Sequence, residues 1–429
     1  MATRILARSY LRFLAWPTLV GLAIRFSILA ITYRDFLAPG RDHWEFGYEL
    51  GKIAASIVNG HGFANPYWSQ TGPTALLTPV YPVILSLVFR LFGVYSSSSA
   101  LVFGGLNCIF STITCIPIFF IAKRNFGVQV AALAVWLWAL HPYAINFSTT
   151  TMWYHSFLAL LLTLLFWIGL LLQASDYWVS WLCFGLLWGF TALVNPVVLG
   201  TMPFLLGWTS RQLARSQKHW KEPLIVGIVG MVVVIAPWLI RNDLTFHKPV
   251  FLKDGFWMEA CVGNAGNTLH WWNGECQPSG TKTSKARDEF ARVGELAFMN
   301  NRRRQTLTTI EARPDLFVIR SLRRVLFCWT GYWSLDPRYL REEPLDPENM
   351  FFLSSVSLLS LSGLRILIVR NRTLAISYII VLVIFPLVYY ITHLDPGFRH
   401  PLDPFMTILA AATLSRWRRL RSFVSSWTK

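Results

Sequence analysis

The chain has 429 residues, 54% of them hydrophobic and only 14% charged, with 20 Trp and a formal net charge of +17. Soluble domains carry about 25% charged residues, so an ordinary soluble enzyme is excluded. The apolar residues fall in long runs, which read as membrane spans.

Ten spans are predicted, at about 17–33, 100–122, 128–147, 152–172, 178–194, 197–209, 223–240, 350–364, 374–391 and 404–414. Those at 178–209 and 404–414 are short or run together. The first has no small-residue cleavage site and reads as an anchor. The fold class is therefore an all-α polytopic membrane protein of about 10 transmembrane helices, with a long first outer loop carrying interfacial helices and a larger second outer loop. It divides into a core over 1–240 that includes the first outer loop (34–99), an outer region over 241–349 and C-terminal spans over 350–429. With the N-terminus inside, segments 1–14, 123–127, 173–177, 210–222, 365–373 and 415–429 hold 17 Lys or Arg but only Asp176 and Glu222 among acids. This alternation follows the positive-inside rule and places both termini in the cytoplasm. The basic excess is topological, with some contact to anionic membrane lipids, and no nucleic-acid partner is expected.

The first outer loop is the most patterned segment. It is expected to form a helix over 43–59, capped by Asp42, with Phe46, Leu50, Ile53 and Ile57 as an apolar stripe. Asp42, Glu45, Glu49 and Lys52 would share a second face, and Gly60-His61-Gly62 would end the helix. A solvated charged edge is the bland alternative. Pro79–Phe92 is apolar but short for a crossing, which suits a helix lying in the interface. The second outer region is rich in Gly, Asn, Trp and charge, with helical stretches near 285–310 and 314–327. A short third element, His393 to Pro401, joins the last two spans.

Several ionisable residues fall at or near membrane depth, where charge is costly and frequently functional. Arg241 closes its span at the boundary, His155 opens the fourth span, Arg399 and His400 lie in the third outer element, and Arg25 lies inside the first span. The structural alternatives are interfacial anchoring for Arg241 and Arg399, a paired acid for Arg25, and a cap or core hydrogen bond for His155. Carboxylates and cations on one side of the membrane suit a phosphate-bearing ligand. No Walker loop, GxGxxG, HExxH or CxxC is present. Cys108, Cys115, Cys183 and Cys328 read as packing residues, and Cys261 with Cys276 as a candidate disulfide.

The order of motifs resembles a known family. Acids follow the first span. Then come Gly60-His61-Gly62-Phe63, Thr71-Gly72-Pro73-Thr74-Ala75, Pro79-Val80-Tyr81-Pro82, Ala236-Pro237-Trp238-Leu239-Ile240-Arg241-Asn242 and Phe398-Arg399-His400-Pro401. This resembles the GT-C membrane glycosyltransferases, in the branch of the dolichyl-phosphate-mannose–protein mannosyltransferases and lipid A aminoarabinose transferase. The resemblance implies an inverting transfer from a polyprenyl-phosphate-sugar donor to an extracytoplasmic acceptor (protein, lipid or glycan). It implies that a first-loop acid acts as base or metal ligand: Glu49, then Asp42 and Glu45. Lys52, Arg241, Arg399 and His400 would bind substrate. The reading is metal-optional, with His155 as the candidate ligand of a divalent ion and no cofactor required. The expected location is a bacterial inner (cell) membrane. A lipid-linked-sugar flippase and a non-catalytic assembly subunit are the alternatives; one-sided polar residues and mostly uncharged spans rank transfer above them.

Overall fold

The computed structural model describes residues 2–37, 46–68, 70–265, 274–278 and 285–427. Apart from one isolated bridge between Ala64 and Pro73, the regular structure of these residues is helical. Before the second outer region come α1 (Ala2–Thr32), α2 (Glu49–Val58), α3 (Val80–Phe92), α4 (Ser97–Ile113), α5 (Cys115–Phe126), α6 (Val128–Ala139), α7 (Pro142–Thr149), α8 (His155–Leu172), α9 (Trp178–Ala192), α10 (Met202–Arg215) and α11 (Lys221–Phe246). That region then folds as α12 (Phe256–Asn264), α13 (Lys285–Val293), α14 (Glu295–Ala312), α15 (Pro314–Thr330) and α16 (Pro337–Glu342). The chain closes with α17 (Asp346–Arg370), α18 (Arg372–Ile384), α19 (Leu387–Ile391), α20 (Pro396–Arg399) and α21 (Asp403–Trp427).

Among the described residues six helical segments are long and apolar enough to cross a membrane, or seven if the bent pair α6–α7 is one span. The predicted spans at 178–209 resolve into shorter pieces. α9 has 15 residues, and a 3-10 turn at Pro196–Gly200 separates it from α10. Asn195 and Pro196 cause this break: the Asn195 side chain accepts from the Val197 amide, and Pro has no N–H to continue the helix. The predicted span at 404–414 is the buried first half of α21.

Close packing of α9 on α11 depends on small residues. A Cβ on Gly185 would lie 1.8 Å from the Gly227 carbonyl oxygen, and one on Gly189 would lie 2.7 Å from that of Met231. Gly185 and Gly189 are four apart, the small-xxx-small spacing that lets membrane helices approach backbone to backbone.

Arg25 was expected to meet an acid. Instead its buried guanidinium donates to backbone carbonyls at the break between α6 and α7: Ala139 at 2.8 Å and Trp138 at 3.4 Å, with Gly21 and Ser111 Oγ at 3.0 Å. The C-terminus of α6 supplies the partial negative charge that an acid would have supplied.

The helix of the first outer loop starts later than the pattern suggests. Phe46, Gly47 and Tyr48 take positive φ values of 52°, 70° and 46°, and the helix begins at Glu49. Phe46 is responsible. Its amide donates to Phe36 O, and its ring packs edge-on against Phe89 at 4.9 Å, so the chain turns inward before the helix can start. Of the predicted face, α2 therefore carries Glu49 and Lys52. Asp42 and Glu45 lie outside the described residues. The end of the helix, before Gly60, and the apolar helix α3 are as expected. Val83, Leu87 and Leu91, one turn apart, form an exposed apolar stripe on α3, as an interfacial helix requires. Cys261 and Cys276 form the disulfide.

Replacing Gly185 with Val is expected to separate α9 from α11. Overpacking in a filled core costs about 1–3 kcal/mol, and a clash with a backbone oxygen cannot be relieved by a rotamer change. The thermal unfolding midpoint of the detergent-solubilised variant should fall by several degrees; an unchanged midpoint would show that the helix pair yields.

Candidate active site

The first outer loop is fastened to the second at the peptide joining Thr74 and Ala75. Arg241, near the end of α11, donates from Nη1 to Thr74 O at 2.8 Å and from Nη2 to Phe63 O at 2.9 Å. The Ala75 amide donates to Glu295 Oε1 on α14 at 2.6 Å, and Ala75 O accepts from the Asp254 amide at 3.1 Å. Arg241 also lies over the ring of Trp238, 4.8 Å from its centroid. A phosphate contact was expected of Arg241. In the structure its Nη atoms are turned to backbone carbonyls, and it positions the loop.

Behind this peptide, Glu295 and Asp254 are buried side by side. Burial and the neighbouring Asp254 charge hold Glu295 well above the usual carboxylate range, and burial also pushes Asp254 up, to about 6. Neither oxygen of Asp254 nor Glu295 Oε2 meets a donor from another residue, yet the two carboxyls lie within hydrogen-bonding reach of each other. Two carboxylates this close and this dry do not both ionise. One shared proton satisfies them, with Glu295 as the acid.

Glu49, on the first turn of α2 and half-buried, reaches the same region. The buried Tyr67 hydroxyl is pushed well up by burial and then by the charges of Glu49, Glu295, Glu259 and Asp254, so the first-loop acid and three acids of the second loop all lie within electrostatic range of it. Glu259 pairs with His393 Nδ1 at 2.9 Å. Burial raises its proton affinity, but His393 and Lys253 more than offset this, and it stays below its ordinary value. Lys52 lies over the rings of Tyr95 and Tyr48, at 5.3 and 5.7 Å.

A small cavity is bordered by Leu50 of α2, Tyr81 of α3, Tyr154, Asn195 and Lys253. Lys253 makes no side-chain ion pair among the described residues. Sequence reading passed over Asp254, Glu259, Glu295 and Lys253; the one available signal was the run Lys253-Asp254 with Glu259 one and a half turns on, just after a span.

Arg399 and His400 share a different partner. Arg399 Nε lies 3.3 Å from Asp403 Oδ1, and His400 Nδ1 lies 2.9 Å from Asp403 Oδ2. Arg399 also donates to Cys328 O at 3.2 Å and borders a cavity with Tyr143, Asp346, Asn349 and Asp395. His400 is fully buried, stacked on Trp138 at 5.4 Å, and borders neither cavity. Arg241 and Arg399 share no partner among the described residues.

His155 begins α8 with its Nε2 beside Gly397, where a Cβ would lie 2.6 Å away, and Asp395 Oδ1 reaches the same point at 2.9 Å. Among the described residues no three His, Cys, Asp or Glu side chains gather as a metal site requires. These donors alone do not fit a divalent ion.

Residues 75–240, from the clamped peptide to the end of the α11 span, match the model of the dolichyl-phosphate-mannose-protein mannosyltransferase family. The chain is similar to the Archaeoglobus fulgidus oligosaccharyltransferase solved with zinc and sulfate, at 13% identity over 95% of this chain and 50% of that one, with a TM-score of 0.51. It is similar to the same organism's AglB in complex with an inhibitory peptide and a dolichol-phosphate, at 13% identity over 97% and 51%, TM-score 0.50. ArnT from Cupriavidus metallidurans bound to undecaprenyl phosphate matches at 14% identity over 94% and 77%, TM-score 0.38. The chain spans about half the length of the oligosaccharyltransferase. No curated protein matches it. The fold is that of the Archaeoglobus fulgidus oligosaccharyltransferase, and residues 75–240 match the mannosyltransferase family model.

The shared proton has a pH signature. Because the folded-state proton affinity of Glu295 is raised, the clamp is complete below the ordinary carboxylate range, about pH 4, and weakens as pH rises through the raised value. Hydrogen exchange at Ala75, corrected for intrinsic base catalysis, should quicken with pH in the wild type. In Glu295→Gln, whose amide keeps the acceptor and donates permanently to Asp254, it should stay flat. An equal rise in both proteins would show that no proton is shared.

Proposed function

We propose that the protein is an inverting glycosyltransferase that moves a sugar from a polyprenyl-phosphate carrier to an acceptor on the side of its long loops. The observation that carries this is Lys253 in the wall of a cavity bordered by Leu50 of α2 and Tyr81 of α3, with Glu49 one residue before Leu50 and within electrostatic range of the same Tyr67 as the second-loop acids. The family match over 75–240 supports the reaction class. The dolichol-phosphate bound by the oligosaccharyltransferase supports a lipid-phosphate donor, and its peptide supports an acceptor approaching from the loop side. The location is an inner cell membrane with both termini cytoplasmic, in keeping with the basic short loops.

In the reaction the acceptor hydroxyl attacks the anomeric carbon from the face opposite the phosphate. The new C–O bond forms as the bond to phosphate oxygen breaks, which inverts the centre. The hydroxyl proton passes to a carboxylate of the first loop, and the polyprenyl phosphate leaves with the bonding pair. Glu49 is the base, with Asp42 and Glu45 as the other first-loop candidates. Charge grows on the phosphate as it departs, so cations there stabilise the transition state more than the ground state. Lys253 at the cavity wall supplies one, and Arg399 stands at the second cavity. His400, through Asp403, and Arg241, through the clamp, position these groups. Lys52 stays beside Glu49 on α2, where its charge favours the ionised acid. His155 with Asp395 supplies two donors toward a divalent ion, and none of these steps needs one.

Purified protein given radiolabelled polyprenyl-phosphate-sugar should transfer label with inversion. Glu49→Gln should lower the rate by about 10²–10⁴-fold, the usual contribution of a general base, with insertion and folding intact. Wild-type turnover in Glu49→Gln together with loss in Asp42→Asn would move the base to Asp42. Lys253→Ala should weaken donor binding and slow transfer; unchanged donor kinetics would remove it from the phosphate site.

A further inference from the structure

α15 belongs to the second outer region, yet one of its faces is bare and apolar. Val318, Ile319, Leu322 and Leu326 are 53%, 57%, 63% and 45% exposed. They fall at positions i, i+1, i+4 and i+8, which places them on one side of the helix. The opposite side is fixed. Arg324, 1% exposed, donates to Gly263 O at 3.3 Å, to Asn264 Oδ1 at 2.8 Å and to Thr392 O, and Cys328 O accepts from Arg399.

The bare stripe continues a surface of one of the spans. At the C-terminal end of α15, the Trp329 and Thr330 carbonyls accept from Ser357 Oγ at 2.5 Å and Ser354 Oγ at 3.3 Å, both on α17. α17 is one of the helices long and apolar enough to cross the membrane, and its Phe351, Leu358 and Leu361 are exposed around this junction. The two ends of α15 differ as an interfacial helix requires. The N-terminal end carries the exposed Arg313–Asp315 pair at 2.7 Å; the C-terminal end carries Trp329, Tyr332 and Trp333, the residue types of membrane boundaries. The stripe itself is aliphatic. Protein interfaces concentrate their energy in Trp, Tyr and Arg, with Leu and Val under-represented, so its composition suits acyl chains better than a second protein.

We infer that α15 is seated in the membrane, its Val318–Leu326 stripe buried among the acyl chains of the leaflet on the loop side. The second outer region is therefore anchored to the bilayer at both its covalent ends and along α15. Since α15 holds Thr392 through Arg324 and Arg399 through Cys328 O, the lipid contact also positions the third outer element.

The test uses full-length protein in phosphatidylcholine–phosphatidylglycerol liposomes, with exposed Cys183 replaced by Ser and single spin labels at Val318→Cys, Leu322→Cys, Leu358→Cys and Arg304→Cys. Collisions with oxygen report lipid exposure, and collisions with a water-soluble nickel chelate report water. Labels at 318 and 322 should resemble that at 358, with high oxygen and low nickel accessibility. Nickel accessibility equal to that at exposed Arg304 would overturn the inference, because the stripe would face water. Shielding from both reagents would overturn it in favour of a second copy of the chain covering the stripe.

Discussion

The outer half of the molecule depends on the peptide between Thr74 and Ala75. A backbone segment buried at a membrane boundary must have its polar groups satisfied by protein. Here Thr74 O is met by Arg241, Ala75 N by Glu295 and Ala75 O by the Asp254 amide, which come from a span, from α14 and from the loop between them. Because the three partners lie far apart in sequence, the clamp makes one body of the first loop, the second loop and the end of α11. The position of Glu49 relative to Lys253 and Glu259 follows from it, since α2 and the clamped segment are joined through Phe63, whose carbonyl takes the second Arg241 donor.

Three arginines of the described residues are satisfied mainly by carbonyl oxygens. Arg25 meets the exposed end of α6, Arg241 the loop carbonyls of Phe63 and Thr74, and Arg324 those of Gly263 and Thr392. A helix end or an irregular segment leaves carbonyls without intrahelical donors, and at membrane depth those carbonyls need a partner as much as the guanidinium does. Each arginine thus resolves two burial costs together and fixes a place where the chain departs from regular helix. Gly263 shows how tightly this is built: a Cβ there would meet Thr392 O at 1.8 Å.

Local chemistry made much of this legible in the sequence. The apolar runs gave the long spans, the short run after Pro79 gave the interfacial helix α3, and Gly60 marked the end of α2. Features set by distant contacts were not legible. The helix after Asp42 looks continuous by period, but Phe46 is drawn inward by Phe36 and Phe89, and only the fold brings those together. Arg25 suggested an acid because sequence shows charges and not free carbonyls. Asp254 and Glu295 read as two of many loop acids, since nothing local reveals that they meet in a dry pocket. The stripe on α15 was hidden by its charges: Arg320, Arg323 and Arg324 make the segment look water-facing until the fold turns Arg324 inward and sets Arg323 against Trp333.

The acids around Tyr67 separate by environment into different roles. A general base must be ionised at the working pH and open to an incoming hydroxyl. Glu295 keeps its proton and spends one oxygen on Ala75, so it cannot accept another there. Asp254 is the receiver of that proton's hydrogen bond and is buried. Glu259 is ionised, yet it is paired with His393 and anchors the start of the third outer element. Glu49, the base in the proposed reaction, is half-buried and carried on a short helix whose own start is fixed by Phe46 packing. Asp254 and Glu259, the second-loop acids that carry charge here, have Lys253 as a neighbouring counter-charge, and Lys253 also lines the cavity.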